Sequence, residues 1–334
     1  MIRERDGFVE TLVANAALLR RRIRDPKFSM ELYGVGRRSR SDVVICYISD
    51  SVDKSVLKRM RKLIQSIDVD ALTMNIESLA ECMFTHKWIN PFPKFKYSER
   101  PDTATAAILD GNIVIMVDNS PAVMIIPASI FDIIEEADDF NFSPIIGSYL
   151  RITRFFFSIV TWILTPLWLL FVNNPDWVPE FLKFILITDD ITVPVLLQLL
   201  ILELAVDGLK LAAVNTPTML STPLSIVAGI VVGEYAVSSG WFNPEALLYM
   251  AVVTVGTYGQ TNFEMGYAFK FLRVLMLILT QIFNLAGFIT GVVISVLMIA
   301  FNRTITGKSY IYPLIPWDGK MLKRKVFRVR LPHG

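Results

Sequence analysis

Cysteine and histidine are nearly missing from this chain. Two cysteines, Cys46 and Cys82, and two histidines, His86 and His333, are scattered over 334 residues. Two cysteines cannot build a disulfide framework, and no Cys/His/carboxylate spacing has the pattern of a metal site, so no metal or other cofactor is expected. A Walker A phosphate loop, a nucleophile elbow and a zinc-protease helix signature are also lacking. Neither histidine has neighbours that suggest a triad, so an enzyme is not expected. The opening MIRERDGFVETLVANAALLRRRIR is too charged for a secretory signal peptide. Basic residues follow apolar segments or lie beside acidic ones, which argues against nucleic acid as a partner.

Charge itself is scarce between Phe155 and Phe301. The whole chain is 53% hydrophobic and 19% charged, with a mean hydropathy of +0.48. That balance points to a membrane protein carrying a sizeable soluble part. Up to Leu150 both signs are dense and nearly balanced, and from Arg303 onward the charges are nearly all basic. The fold class read from this is α+β: a small cytoplasmic α/β domain (1–147), a polytopic α-helical membrane domain (148–304) and a basic cytoplasmic tail (305–334).

Within the first domain, apolar residues at helical spacing (Phe8, Leu12, Ala16, Leu19, Ile23) predict an amphipathic helix over 7–23. DVVICYI (42–48) is β-branched and aromatic and reads as a buried strand. KSVLKRMRKLIQSI (54–67) is helical, with Val56, Met60, Leu63 and Ile67 facing inward. Pro101 suits the first turn of a short helix that Gly111 stops. NIVIMVDNSPAVMIIPAS reads as two strands joined by a turn at Asp118-Asn119-Ser120-Pro121.

Five apolar segments follow: 155–172, 193–214, 223–240, 244–262 and 274–302. Arg151 and Arg154 precede the first, and basic residues crowd the tail, so the positive-inside rule places both ends in the cytoplasm. An even number of crossings is then required. Either 193–214 does not span, or 274–302 is a hairpin broken near Asn284, Gly287 and Gly291. The first option is preferred here, because 193–214 carries three charges and is followed by Pro217. It gives about four spans plus one re-entrant or interfacial helix, and it leaves Lys270 and Arg273 awkwardly on the outer side.

Glu203, Asp207 and Lys210 stand three or four residues apart and share one helical face. Carboxylates at membrane depth usually face a protein interior or a water-filled cavity, and cation channels select with such groups. The stripe can line an ion path. It can also be an interfacial helix with Asp207 paired to Lys210, or a buried pair that locks packing. Glu234, inside SIVAGIVVGEYAVSSG, is a further ion-path candidate on the same argument, or a carboxylate reaching headgroup water. Gln260, Asn262 and Glu264 suit a vestibule or an ordinary helix end. Arg20, Arg21, Arg22 and Arg24 suit the C-terminal end of a helix, Arg37, Arg38 and Arg40 a solvated loop, and Arg100 with Asp102 a pair at a subunit contact. In the tail, Lys323, Arg324, Lys325 and Arg328 beside Trp317 read as a membrane-surface contact, each basic residue contributing about 1 kcal/mol.

Several motifs, in order, resemble the A subunits of bacterial spore germinant receptors. They are GFVETLVANAALLRRRI (7–23), VGRRS (35–39), NPFPKFKYSERPD (90–102), VDNSPAVMIIPAS (117–129) and LELAVDGLKLAA (202–213). PLWLLFV (166–172), IVVGEYAV (230–237) and SYIYPLIPW (309–317) are similar to a sporulation-protein branch of that family. Members carry a further soluble subdomain before the GFVE helix, and this chain begins almost on it, as a short member or a fragment would. The resemblance implies an integral protein of the spore inner membrane. It also implies a homo-oligomer, a pentameric ring, that releases monovalent cations during germination. The implied partners are other germination membrane subunits, to which nutrient sensing is mainly attributed, and the lipid bilayer. A non-conducting scaffold that docks receptor subunits is the alternative. A small-molecule permease is disfavoured, since no internal repeat is visible.

Overall fold

The structure, a computed structural model, describes residues 6–83, 90–215, 229–307 and 309–329. The chain divides into two compact units, Met1–Ser148 with Ile299–Gly334, and Tyr149–Met298.

In the first unit, strands β1 (Phe28–Val35), β2 (Ser41–Ile48), β3 (Lys96–Ser98), β4 (Ile113–Val117) and β5 (Val123–Ile126) form one antiparallel sheet in the order β1-β2-β4-β5-β3. Both faces of the sheet are covered, so β4 and β5 are buried at every position, which is why they read as unbroken apolar runs. Alternate residues go to opposite sides. Val43, Ile45, Ile115 and Val117 pack with Val56, Leu57, Met60 and Ile64 of α2 (Lys54–Gln65) and with Ile76 and Leu79 of α3 (Asn75–Cys82). Val44, Cys46, Val114 and Met116 pack with Leu12 and Leu19 of α1 (Leu12–Arg22) and with Ala104 and Ile108 of α4 (Pro101–Leu109). The expected turn and helix stop are present: Asn119 has φ 61 in the β4–β5 turn, which Asn tolerates, and Gly111 has φ 87 just past α4, where a residue without Cβ is favoured. The helix expected over 7–23 starts only at Leu12, because Phe8 is held in extended chain by its N–H donating to the Glu99 carbonyl at 2.9 Å. Strands β1 and β3 have no strong sequence signal; both lie at sheet edges and neither is fully buried.

The polypeptide after residue 299 belongs to this same unit. Ile305 is buried in the core that α2 and α3 share, and the Lys94 ammonium donates to the Arg303 carbonyl at 3.1 Å. Helix α5 (Ile130–Ile134) opens with a reciprocal capping box between Ser129 and Asp132.

The second unit is helical. Helix α6 (Pro144–Asn173) runs into it and keeps Pro166 in its interior. Then come α7 (Val195–Asn215), a π-helical turn Gly229–Tyr235 continuing as helix to Ser238, α8 (Pro244–Tyr258) and α9 (Phe263–Ala300). Among the described residues, α6 and α9 are the two helices long and apolar enough to cross a membrane. Three charges disqualify α7, and α8 has 15 residues. Of the segment expected at 223–240, residues 223–228 lie outside the described residues.

Helix α9 is not one rod. Asn284 has φ 51 and ψ −127, and beyond it the chain folds back on itself. A Cβ on Gly287 would stand 1.8 Å from the Leu279 carbonyl oxygen, and one on Gly291 2.7 Å from Met276 Cγ. At a rise of about 1.5 Å per residue those partners would be far apart along a straight helix. The arms 263–283 and 285–300 are therefore a close-packed hairpin. This differs from the single crossing preferred for 274–302 above. The reason is local: Asn tolerates positive φ, and the two glycines let the backbones meet.

The helix directions follow from side-chain contacts. Trp168 stacks on Tyr249 at 4.7 Å, and Gly256 lies against Thr161, so α6 and α8 run antiparallel. Gln198 exchanges hydrogen bonds with Asn243 at 2.7 and 2.8 Å, and Lys210 lies over Tyr258, so α7 and α8 run parallel. At the hairpin tip, Asn284 and Asn174 exchange side-chain amide hydrogen bonds of 2.6 and 2.9 Å.

Candidate functional site

The most highly charged buried place in the helical unit is where the first arm of α9 passes α7. Glu203 and Asp207 lie one turn apart on α7. Lys270 and Arg273 lie one turn apart on α9, and the helices run in opposite directions, so the four side chains interleave. Arg273 Nε donates to Glu203 Oε1 at 2.5 Å, and their side chains are 3% and 5% exposed. The Lys270 ammonium donates to the Glu203 carbonyl at 2.9 Å, pairs with Asp207 Oδ2 and lies 3.4 Å from Glu203 Oε2. The guanidinium of Arg273 also donates to the Thr161 carbonyl of α6. One cluster thus ties three helices.

Lys210 does not pair with Asp207. Its ammonium lies 5.2 Å from the ring centre of Tyr258 and 5.6 Å from that of Tyr267, a cation–π arrangement. Gln260 Nε2 donates to Thr161 Oγ1 at 3.1 Å. Two acceptors remain buried without a hydrogen-bond partner among the described residues, Asp207 Oδ1 and Gln260 Oε1. The enclosed space beside them is about 20 Å³, room for about one water molecule. In the single chain the cluster is therefore shut. Burying a charge is tolerable only when it is paired and hydrogen-bonded, and the geometry meets that condition for Glu203 and Arg273.

The other expected residues are placed as follows. Glu234 is exposed on the π-helical turn and is not brought to Glu203 and Asp207. Asn262 accepts from the Met265 N–H at 3.0 Å, as an ordinary helix start does. Arg100 pairs with Asp102 at 2.6 Å and with Asp138, both within the chain. Arg37 pairs with Asp68 at 2.6 Å. On α10 (Gly319–Val326), Lys323 and Arg324 are exposed, whereas Lys325 pairs with Asp132 at 2.5 Å and Glu135 at 3.2 Å. Arg328 donates to the Phe140 carbonyl at 3.0 Å and to that of Phe142. His86 and His333 lie outside the described residues. Lys270 and Arg273 were visible only as charges on an awkward side of the membrane. The signal for their role was a basic pair at helical spacing facing an acidic pair at helical spacing.

Comparison with known proteins agrees with the motifs. A family model, "Bacillus/Clostridium GerA spore germination protein", matches residues 3–333. The chain is 38% identical over 328 residues to stage V sporulation protein AF of Bacillus subtilis (strain 168), covering 98% of this chain and 66% of that protein. It is 28% identical to spore germination protein GerLA of Bacillus cereus, covering 97% of this chain and 66% of the relative. Identity is also 28% to the uncharacterized membrane protein YfkQ of Bacillus subtilis (strain 168), over 88% of this chain and 57% of that one. The chain thus spans less than two thirds of the length of these relatives. Matched from one end to the other, with its motifs in order, the chain belongs to the GerA family of Bacillus/Clostridium spore germination proteins.

Proposed function

We propose that this chain is a membrane subunit of a spore germination assembly, with its ion path closed by the cluster of Glu203, Asp207, Lys270 and Arg273. The observation that carries this reading is the cluster itself. Intramembrane ionisable groups are costly and mark ion pathways or relays when they occur. Here two carboxylates are neutralised by two cations across helices, beside an unfilled acceptor on Asp207. Separating α7 from α9 would bare the carboxylates and open a cation-selective route. The ring of like subunits, the monovalent cations and the other germination subunits as partners belong to this proposal, as does the spore inner membrane. Glu234, exposed on its own turn, would join such a path only from a neighbouring copy.

The hairpin in α9 supports two ends on one side. α6 and the first arm of α9 both run opposite to α7, so the second arm heads back toward the side from which α6 sets out, as two cytoplasmic ends require. The scaffold reading has one observation in its favour: a fully paired Glu203–Arg273 contact is also what a purely structural lock would use.

Reconstitution into liposomes with a cation-flux readout separates the two. Under the conducting reading, Glu203→Gln and Asp207→Asn change flux or its selectivity. A wild-type assembly that passes no cations under activating conditions favours the scaffold. Unchanged flux in both variants removes the cluster from the path.

A further inference from the structure

Helix α2 carries a basic stripe that no described residue pairs with. Lys54, Lys58 and Lys62 recur at four-residue spacing and share one face, Arg59 flanks them, and all four are exposed. None has an ionic or hydrogen-bond partner among the described residues. The remaining cation of the helix, Arg61, turns to Glu31. The opposite face, Val56, Leu57, Met60 and Ile64, is fixed in the core, so the stripe cannot rotate inward.

Where the stripe sits decides what it meets. The core that holds α2 also takes Ile305, and a Cβ on Gly307 would stand 3.3 Å from Arg59 Nη1. Both residues follow directly on the apolar arm that ends at Ala300. A chain extends at most about 3.6 Å per residue, so Ile305 is held within roughly 18 Å of that helix end. Phe301, 77% exposed, lies just past the end of the arm. The tail helix offers less free charge than its sequence suggested, since Lys325 and Arg328 are engaged within the protein.

We propose that the Lys54/Lys58/Arg59/Lys62 face of α2 docks on anionic lipid headgroups of the membrane in which the chain is embedded. The proposal rests on the membrane reading of α6 and α9. Cations within a Debye length of an anionic surface are drawn to it. Four cations against one adjacent carboxylate, Asp53 at the helix N-cap, on a segment tethered beside a membrane exit, meet that condition.

The test uses the full chain in lipid nanodiscs of phosphatidylcholine alone or with one third phosphatidylglycerol. Incorporation is confirmed first by co-elution with lipid, and its failure would count against the membrane reading itself. A short acetylation pulse followed by mass spectrometry then compares Lys54, Lys58 and Lys62 with Lys27, which is paired to Asp50 at 2.5 Å. The expected result is several-fold slower modification of the three lysines in the anionic discs only, abolished by about 1 M salt. Equal rates in the two lipids overturn the proposal. Slowing that is the same in both lipids assigns the face to a protein contact and overturns it as well.

Discussion

Arg273 of α9 and Glu203 of α7 are buried against each other, Nε to Oε1 at 2.5 Å, in the interior of the helical unit. Such a pair adds little net stability over an apolar one, but removing one member leaves a bare buried charge. Arg273→Met is therefore expected to cost about 3–5 kcal/mol, a fall in melting temperature on the order of 10 °C. The Arg273→Met, Glu203→Leu double variant should recover most of it. Thermal unfolding of the detergent-solubilised chain measures both, and a double variant as unstable as the single one would show that the pair is not the unit that matters.

The hairpin of α9 makes a sharper steric prediction. Gly287→Ala places a methyl where the Leu279 carbonyl oxygen already lies, 1.8 Å away, and backbone cannot yield as a side chain can. Loss of folded protein is expected. Gly291→Ala meets Met276, whose flexible side chain sits 2.7 Å away, so a cost of only about 1–3 kcal/mol is expected. Yield of monodisperse protein after purification ranks the two, and equal yields would contradict the fold-back at Asn284.

These two sites show how far the sequence could be read. The strands β2, β4 and β5 and helices α2 and α4 were legible because both faces of the sheet are buried and their apolar runs are unbroken. The acidic stripe of α7 was legible as a face, since helical spacing needs no partner to be seen. What answers it was not. Lys270 and Arg273 lie more than sixty residues away along the chain, and pairing across helices leaves no local trace. The break at Asn284 was one of two ways to balance the crossings, and the approach of Gly287 to Leu279 favours it. Edge strands β1 and β3, half-exposed, have no strong pattern.

Glu31 predicts a pH dependence in the soluble unit. A hydrogen bond from the Arg61 guanidinium holds its carboxyl down at about 2, with burial opposing and the Tyr47 and Tyr33 hydroxyls adding to the effect. A lowered folded value means stabilisation that is complete above the ordinary value of 4.5 and fades as pH falls toward about 2. Because Arg61 is partly exposed, about 1–2 kcal/mol is expected at neutral pH after screening. Melting curves of wild type and Glu31→Gln should differ at pH 6 and draw together below pH 4.5. A gap independent of pH would assign the effect to packing instead.

Lys325 fastens α10 to α5. Burial opposes its charge, yet Asp132 and Glu135 outweigh this and hold the ammonium above its ordinary value. Lys325→Met leaves two carboxylates facing an apolar chain, so α10 should loosen. Trypsin cleavage after Lys323 and Arg324 is expected to become several-fold faster. Lys325→Arg, which keeps the charge, should cleave close to the wild-type rate. Unchanged cleavage in Lys325→Met would mean that Arg328 and its carbonyl partners suffice to hold the tail.

Lys270 and Lys210 offer the most direct test of a gate, because they carry the same charge in one cluster and do different things. Lys270 bridges Asp207 and the Glu203 carbonyl, while Lys210 rests on the rings of Tyr258 and Tyr267. If the cluster closes a cation path, Lys270→Met removes both the plug and the counter-charge of Asp207, and resting cation leak should rise. Lys210→Met changes the local charge equally but frees no carboxylate, so its leak should stay near wild type. A purely electrostatic barrier would respond to both substitutions alike, and a structural lock would show instability without leak. Flux and melting temperature measured on the same two preparations distinguish the three cases.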